Sequence, residues 1–206
     1  MANTTFSGPV RSENGFETIS KNTTTGTITI TSGNKMAVEA VGSAGIEGTA
    51  AVYVTQVERF KSDTTTNVNI VKTTIMIDLT GLYDGGTAGD IIGKNGSGVA
   101  YIGQVTTANT GTVFGVTMQC LDAPAGGGAD IDLYSATEGT GVNDTAIGDL
   151  TETQIINAGT QAAGTLTAGG DIAADQYLYL VGQGTGDAAY TAGRLLITIT
   201  GYDVAS

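Results

Sequence analysis

Residues 111–135 read GTVFGVTMQCLDAPAGGGADIDLYS, two alternating runs separated by a proline and three glycines. In the first run Phe114, Val116, Met118 and Cys120 fall on one side of a period of two, which predicts a strand with one buried face. Pro124 lacks the N–H that a central strand needs, and Gly126–Gly128 suit a sharp turn, so the strand should end there. DIDLYS (130–135) then alternates again. Asp130 and Asp132 share one face and Ile131 and Leu133 the other, so the acids are expected at solvent or at a subunit boundary. Cys120, in line with Val116 and Met118, reads as a core thiol and not a nucleophile.

The same period runs outward in both directions. TGTITIT (25–31), MAVEAV (36–41), AAVYVTQVERF (50–60), NIVKTTIMIDLTGLY (69–83), DII (90–92), GVAYIGQVTT (98–107), QYLYLVGQ (176–183) and RLLITITGY (194–202) are all short and rich in β-branched residues. Threonine occurs 35 times and glycine 32 times, which supplies strands and the turns between them. TANTG (107–111) reads as a hairpin connection. The best helix candidate is DLTETQIINAGTQ (149–161), with Thr151 as N-cap and Gly159 as stop. Regularly spaced strands with turn residues between them predict an all-β protein, a jelly-roll-like β-sandwich over residues 27–206. Residues 1–26 are polar and irregular, and Pro9 and Gly15 oppose a helix. They read as an extended N-terminal arm, with Phe6, Pro9, Arg11 and Phe16 as the residues that would hold a neighbour.

The charge balance narrows the function. The net charge is −12, and Arg194 is the only base after residue 95. Phosphate backbones bind clustered Lys and Arg, so nucleic acid is excluded as a partner. The chain has no His, no Trp and one Cys. That removes Ser-His-Asp and Cys-His chemistry, the commonest metal ligand and any intrachain disulfide. The first residues have neither the basic nor the apolar segment of a signal peptide, and no run is long and apolar enough to span a membrane. The expected localisation is therefore not a membrane.

Three motifs bear on chemistry. Residues 125–132 only partly match the G-G-x-G-x-D-x-U-x calcium repeat, since Ala125 replaces the first Gly and Asp132 the apolar position. A calcium ion needs six to eight oxygens, of which Asp122, Asp130 and Asp132 would supply some, and the plain alternative is a loop beside solvated acids. Gly93–Gly98 lacks the order of a phosphate loop and precedes a strand, not a helix. Asp122, Asp130, Asp132 and Glu138 lie close enough in sequence for a glycosidase pair, but no Trp is present to stack on sugar. No cofactor is expected, and no catalytic residue.

FSGPVRSENGF (6–16), DLTGLYDGGTAGDIIG (78–93), GQVTTANTGTVFGVTMQCLDAPAGGGADIDLY (103–134) and YLYLVGQGTGDAAYTAGRLLITITGYD (177–203) resemble structural proteins of marine tailed bacteriophages. The resemblance lies in composition and order of blocks and carries no catalytic motif. It implies a virion component on the outer capsid surface, a decoration or cement protein with a jelly-roll-like fold. Its partners would be the major capsid protein and further copies of itself, as a homotrimer. Two rival readings are a glycan- or host-surface-binding β-sandwich of a phage appendage, assisted by calcium, and a polysaccharide-cleaving enzyme. An acidic Gly-rich loop and Tyr177 and Tyr179 motivate the first, and the lack of His weighs against the second.

Overall fold

Strand pairing in this chain follows its β-branched runs. A computed structural model describes residues 18–21, 28–32, 51–60, 67–96, 98–184, 186 and 188–205. They fall into two compact units, Met1–Lys35 and Met36–Ser206. In the first, β1 (Thr18–Lys21) pairs antiparallel with β2 (Ile28–Ser32), Lys21 opposite Ile28. Part of the segment expected to be an arm is thus a strand. Phe6, Pro9, Arg11 and Phe16 lie outside the described residues, as does MAVEAV.

The second unit continues with β3 (Ala51–Phe60), β4 (Asn67–Asp78), β5 (Tyr83–Asp84), β6 (Asp90–Ile91) and β7 (Gly103–Gln104). A one-turn helix, α1 (Thr107–Thr110), precedes β8 (Thr112–Ala125), β9 (Ile131–Ala136) and β10 (Glu152–Ile156). The last strands are β11 (Leu166–Gly169), β12 (Tyr177–Gly182), β13 (Ala188–Ala189) and β14 (Ala192–Ala205). One sheet runs β11-β8-β14-β4-β3, and a second runs β10-β9-β12-β6 with β7 also on β12. All pairings are antiparallel. β14 is the middle of the first sheet and pairs with β4 from Arg194↔Asp78 to Ala205↔Asn67.

The two sheets form a sandwich around a shared core. Ile75 and Ile77 of β4, Val116, Met118 and Cys120 of β8, and Leu195, Ile197 and Ile199 of β14 pack with Ile131 and Leu133 of β9 and Leu178 and Leu180 of β12. Each such side chain, fully buried, contributes about 1.5–3 kcal/mol. The second sheet is covered on its other face as well. There Tyr179, Val181 and Ala136 pack with Ile91 of β6 under Ala100 and Ile147 from the long connections, with Tyr101, Tyr134, Leu150 and Tyr177 at the margin. This double cover explains why β9 and β12 are buried at nearly every position and do not alternate.

Three local expectations are corrected. Phe114 does not join the core face of β8. Gly115 pairs with Thr200 and Val113 with Gly201, so Phe114 is the extra residue of a bulge. The face inverts there: Val113 is buried and Phe114 is 54% exposed, its ring 6.3 Å from that of Tyr202. Gly201 permits the bulge, since a Cβ at that position would strike the Thr110 carbonyl. Second, TANTG is not a hairpin. Thr106 caps α1, its side chain accepting from the Asn109 N–H at 3.3 Å, and Gly111 ends it at φ 66°. The turn carries the chain from β7 in one sheet to β8 in the other. Third, residues 149–161 are not a helix. A short 3₁₀ turn at Ile147–Asp149 leads into β10, whose Thr153 and Ile156 pair with Ser135 and Leu133. Cross-strand packing there outweighs a weak helical pattern.

Candidate functional site

The glycines of the 126–128 loop are explained by what their backbone touches. Gly126 has φ 94°, and a Cβ on it would collide with the Ala189 carbonyl. The neighbouring Ala125 carbonyl accepts from the Thr191 N–H at 2.7 Å and from its hydroxyl at 3.2 Å. Gly127 lies flat against the Tyr190 ring. Gly128 donates its N–H to Asp84 Oδ2 at 2.7 Å and accepts the Tyr190 hydroxyl at 2.8 Å. Asp84 is fully buried, and Gly128 and Gly182 both sit so close to its carboxyl that neither has room for a Cβ. The loop therefore closes around a buried carboxyl group of the same chain. Burial, and then the Asp84 charge, pushes the Tyr190 phenol strongly upward.

The candidate calcium ligands are dispersed in role. Asp132 is not at solvent, since it is 2% exposed. Its Oδ2 accepts from Gln154 Nε2 at 2.9 Å and its Oδ1 from the Ala158 N–H at 2.8 Å, which ties β9 to β10 and to the loop beyond it. The alternation placed it on an open face, but loops cover that face of the second sheet. Asp130 is half-buried, and burial, followed by the charge of Asp132, raises its carboxyl. Asp122 is exposed near the end of β8, opposite Arg194 in register, and its carbonyl accepts a bond from the Cys120 thiol at 3.3 Å. Among the described residues no group of three or more His, Cys, Asp or Glu side chains is placed to hold a metal ion. Cys120 itself is buried, and that burial raises its thiol.

The remaining candidates bond within the chain. Glu138 accepts from the Thr151 N–H at 2.9 Å and its hydroxyl at 2.8 Å, bonds that hold its carboxyl below the usual range. Tyr179 is fully buried. Its hydroxyl donates to the Glu138 carbonyl at 2.7 Å and accepts from the Gly141 N–H at 3.2 Å, and burial pushes it up to about 12. Tyr177 is half-buried and meets Tyr101 edge-on, ring centroids 5.0 Å apart at 61°. Of the two tyrosines expected to offer a ligand surface, only Tyr177 retains any exposure.

Sequence reasoning missed Asp84 and Tyr190, the two residues around which the glycine loop is built. The signal was present but scattered: an acid in LYDGG (82–86), glycines in APAGGG (123–128) and in VGQG (181–184), and a tyrosine in DAAY (187–190). Only the pairing of β5 with β13, which sets Asp84 opposite Ala188, brings them together.

Fold and site together define an all-β antiparallel sandwich whose polar groups are spent on holding its own loops. No family model, no curated protein and no solved structure matches the chain.

Proposed function

We propose that this chain is a non-enzymatic structural protein of a virion. It is a capsid decoration or cement protein of the tailed-bacteriophage kind that associates with itself and clamps the major capsid protein on the outer shell. One observation supports this reading above others. Five polar side chains around the glycine loop and the second sheet (Asp84, Asp132, Glu138, Tyr179 and Tyr190) each bond to backbone elsewhere in the same chain, whereas Asp122 is exposed and Asp130 half-buried. Such bonds serve rigidity. A net charge of −12 suits a position outside the shell, away from packaged nucleic acid. Two antiparallel sheets are the scaffold a jelly-roll-like coat protein would use. The alternative of a glycan-binding module has the Tyr101–Tyr177 edge pair in its favour.

The test is to mix the purified chain with empty shells assembled from the cognate major capsid protein and measure occupancy by sedimentation. Stoichiometric binding is expected, reduced by deletion of residues 2–20. No binding at micromolar protein would overturn the role, and undiminished binding of the deletion would overturn the arm.

A further inference from the structure

The two sheets differ in what lies on their outer faces. The second sheet is buried on both sides, its outer face covered by Ala100 and Ile147 from the connections beside Ile91 of β6. Among the described residues of the same unit, no apolar cluster covers the outer face of the first sheet. Its outward side chains include Val68 at 37%, Met76 at 39%, Leu166 at 61% and Tyr202 at 40% exposure, with Phe114 beside Tyr202. Between them stand Thr74, Thr117, Thr198 and Thr200. These residues share one face by register: Leu166 opposes Gln119, Gln119 opposes Leu196, and Leu196 opposes Met76.

The charge on this face is unlike that of the chain. On β4, β8, β11 and β14, the described outward residues from Met76 and Leu196 to Val68 and Tyr202 include no carboxylate and one base, Lys72. At the margin Asp78 is joined to Arg194, Nε to Oδ2 at 3.4 Å. A chain of net charge −12 repels its own copies over most of its surface. Close approach of two copies costs least through a face that has shed its acids.

The size is also right for a second copy. Strands β8, β14 and β4 lie about 4.8 Å apart, and about ten residues of each at about 3.4 Å, with the four residues of β11, give about 550 Å² of flat area per copy. A stable specific interface covers about 800 Å² per partner, and pleated side chains expose more than the flat projection. Sheets pack face to face at about 10 Å, and threonine and aliphatic side chains suit such a layer.

We infer that the outer face of the β11-β8-β14-β4-β3 sheet is the surface by which two copies of this chain pack sheet to sheet, related by a two-fold axis. This rests on the self-association in the proposed function, names its surface, and puts a two-fold pair in place of the expected homotrimer. It is tested without shells, so that its failure and the failure of the virion role are distinguishable.

Two measurements on the full-length chain decide it. The first is sedimentation velocity from about 1 to about 200 µM, the range in which a weak to moderate dimer dissociates. The second is the rate of Met76 oxidation by dilute peroxide over the same range, read by peptide mass, with buried Met118 as the internal reference. Expected is a dimer whose Met76 oxidises more slowly as concentration rises. Met76→Glu and Thr198→Glu should each weaken dimerisation at least about tenfold, since they place like charges across the two-fold axis. Ala174→Glu, the same charge on an exposed loop, should not. Circular dichroism checks that each variant is folded. If one is not, the Met76 profile of the unmodified chain decides alone. A monomer throughout the range overturns the inference, whether Met76 oxidises freely or is shielded at every concentration by the chain's own N-terminal residues. So does an assembly of odd order, or one that both glutamate variants leave intact.

Discussion

Above about pH 10 the folded chain should lose stability in proportion to two tyrosines. Tyr179 and Tyr190 are buried, and both phenols are raised above their ordinary value of 10.0, Tyr179 to about 12. The fold holds the neutral form, while the unfolded chain ionises at the ordinary value. Stability is therefore intact below pH 10 and falls as the pH climbs through the folded values. At about pH 11 each tyrosine that stays protonated in the fold costs about 1.4 kcal/mol, so the pair costs about 3 kcal/mol. That is a large part of the 5–15 kcal/mol by which a domain is usually stable. The assay is urea unfolding at about pH 8 and about pH 11, with near-ultraviolet absorbance counting tyrosinate in the folded state. Tyr179→Phe separates the contributions. At neutral pH it should cost about 1–3 kcal/mol, because the buried Gly141 N–H loses its acceptor. It should also remove one tyrosine's share of the alkaline loss. The reasoning fails if all eight tyrosines ionise together near pH 10 with the fold intact, or if Tyr179→Phe leaves the alkaline loss unchanged.

Three further outcomes follow from the site geometry. Asp132→Ala should destabilise by about 1–3 kcal/mol, since the Ala158 N–H loses its partner, whereas Asp132→Asn, which keeps an acceptor, should cost less; urea midpoints compare them. Gly182→Ala drives a methyl into the Asp84 carboxyl and should cost more than about 2 kcal/mol, while Gly148→Ala, with open space around it, should stay within about 0.5 kcal/mol; thermal melts of the two are the check. Cys120 should resist a thiol reagent in the native protein and react fully in denaturant, and fast native labelling would contradict its burial.

The strands that alternate in sequence are the ones with one covered face. β4 and β14 show it plainly, with Ile75, Ile77, Leu195, Ile197 and Ile199 inward and Met76, Thr198 and Thr200 outward. β9 shows where that reasoning ends. Asp132 looks like a solvated residue because the loops that bury it come from residues distant in sequence, and no local period reports them. The bulge at Phe114 is similar: its cause is Gly201 on a partner strand. The glycine loop was recognisable as a turn, but the carboxyl it closes around, that of Asp84, lies 44 residues away from Gly128. One-residue features such as caps and glycine stops were present at Thr106 and Gly111, yet they were outweighed in the reading by the strands on either side.

The position of β14 has a consequence for how the chain is made. The strand that is last in sequence lies in the middle of its sheet, between β8 and β4. On a ribosome β4 and β8 emerge with their inner edges unpaired and wait for β14 to be synthesised. Closure then joins segments more than a hundred residues apart, as with Val68 and Val204, and such non-local pairing is slow. An unpaired apolar edge is where nascent chains aggregate, so the interval before β14 arrives is the one in which this chain is most exposed to misassembly.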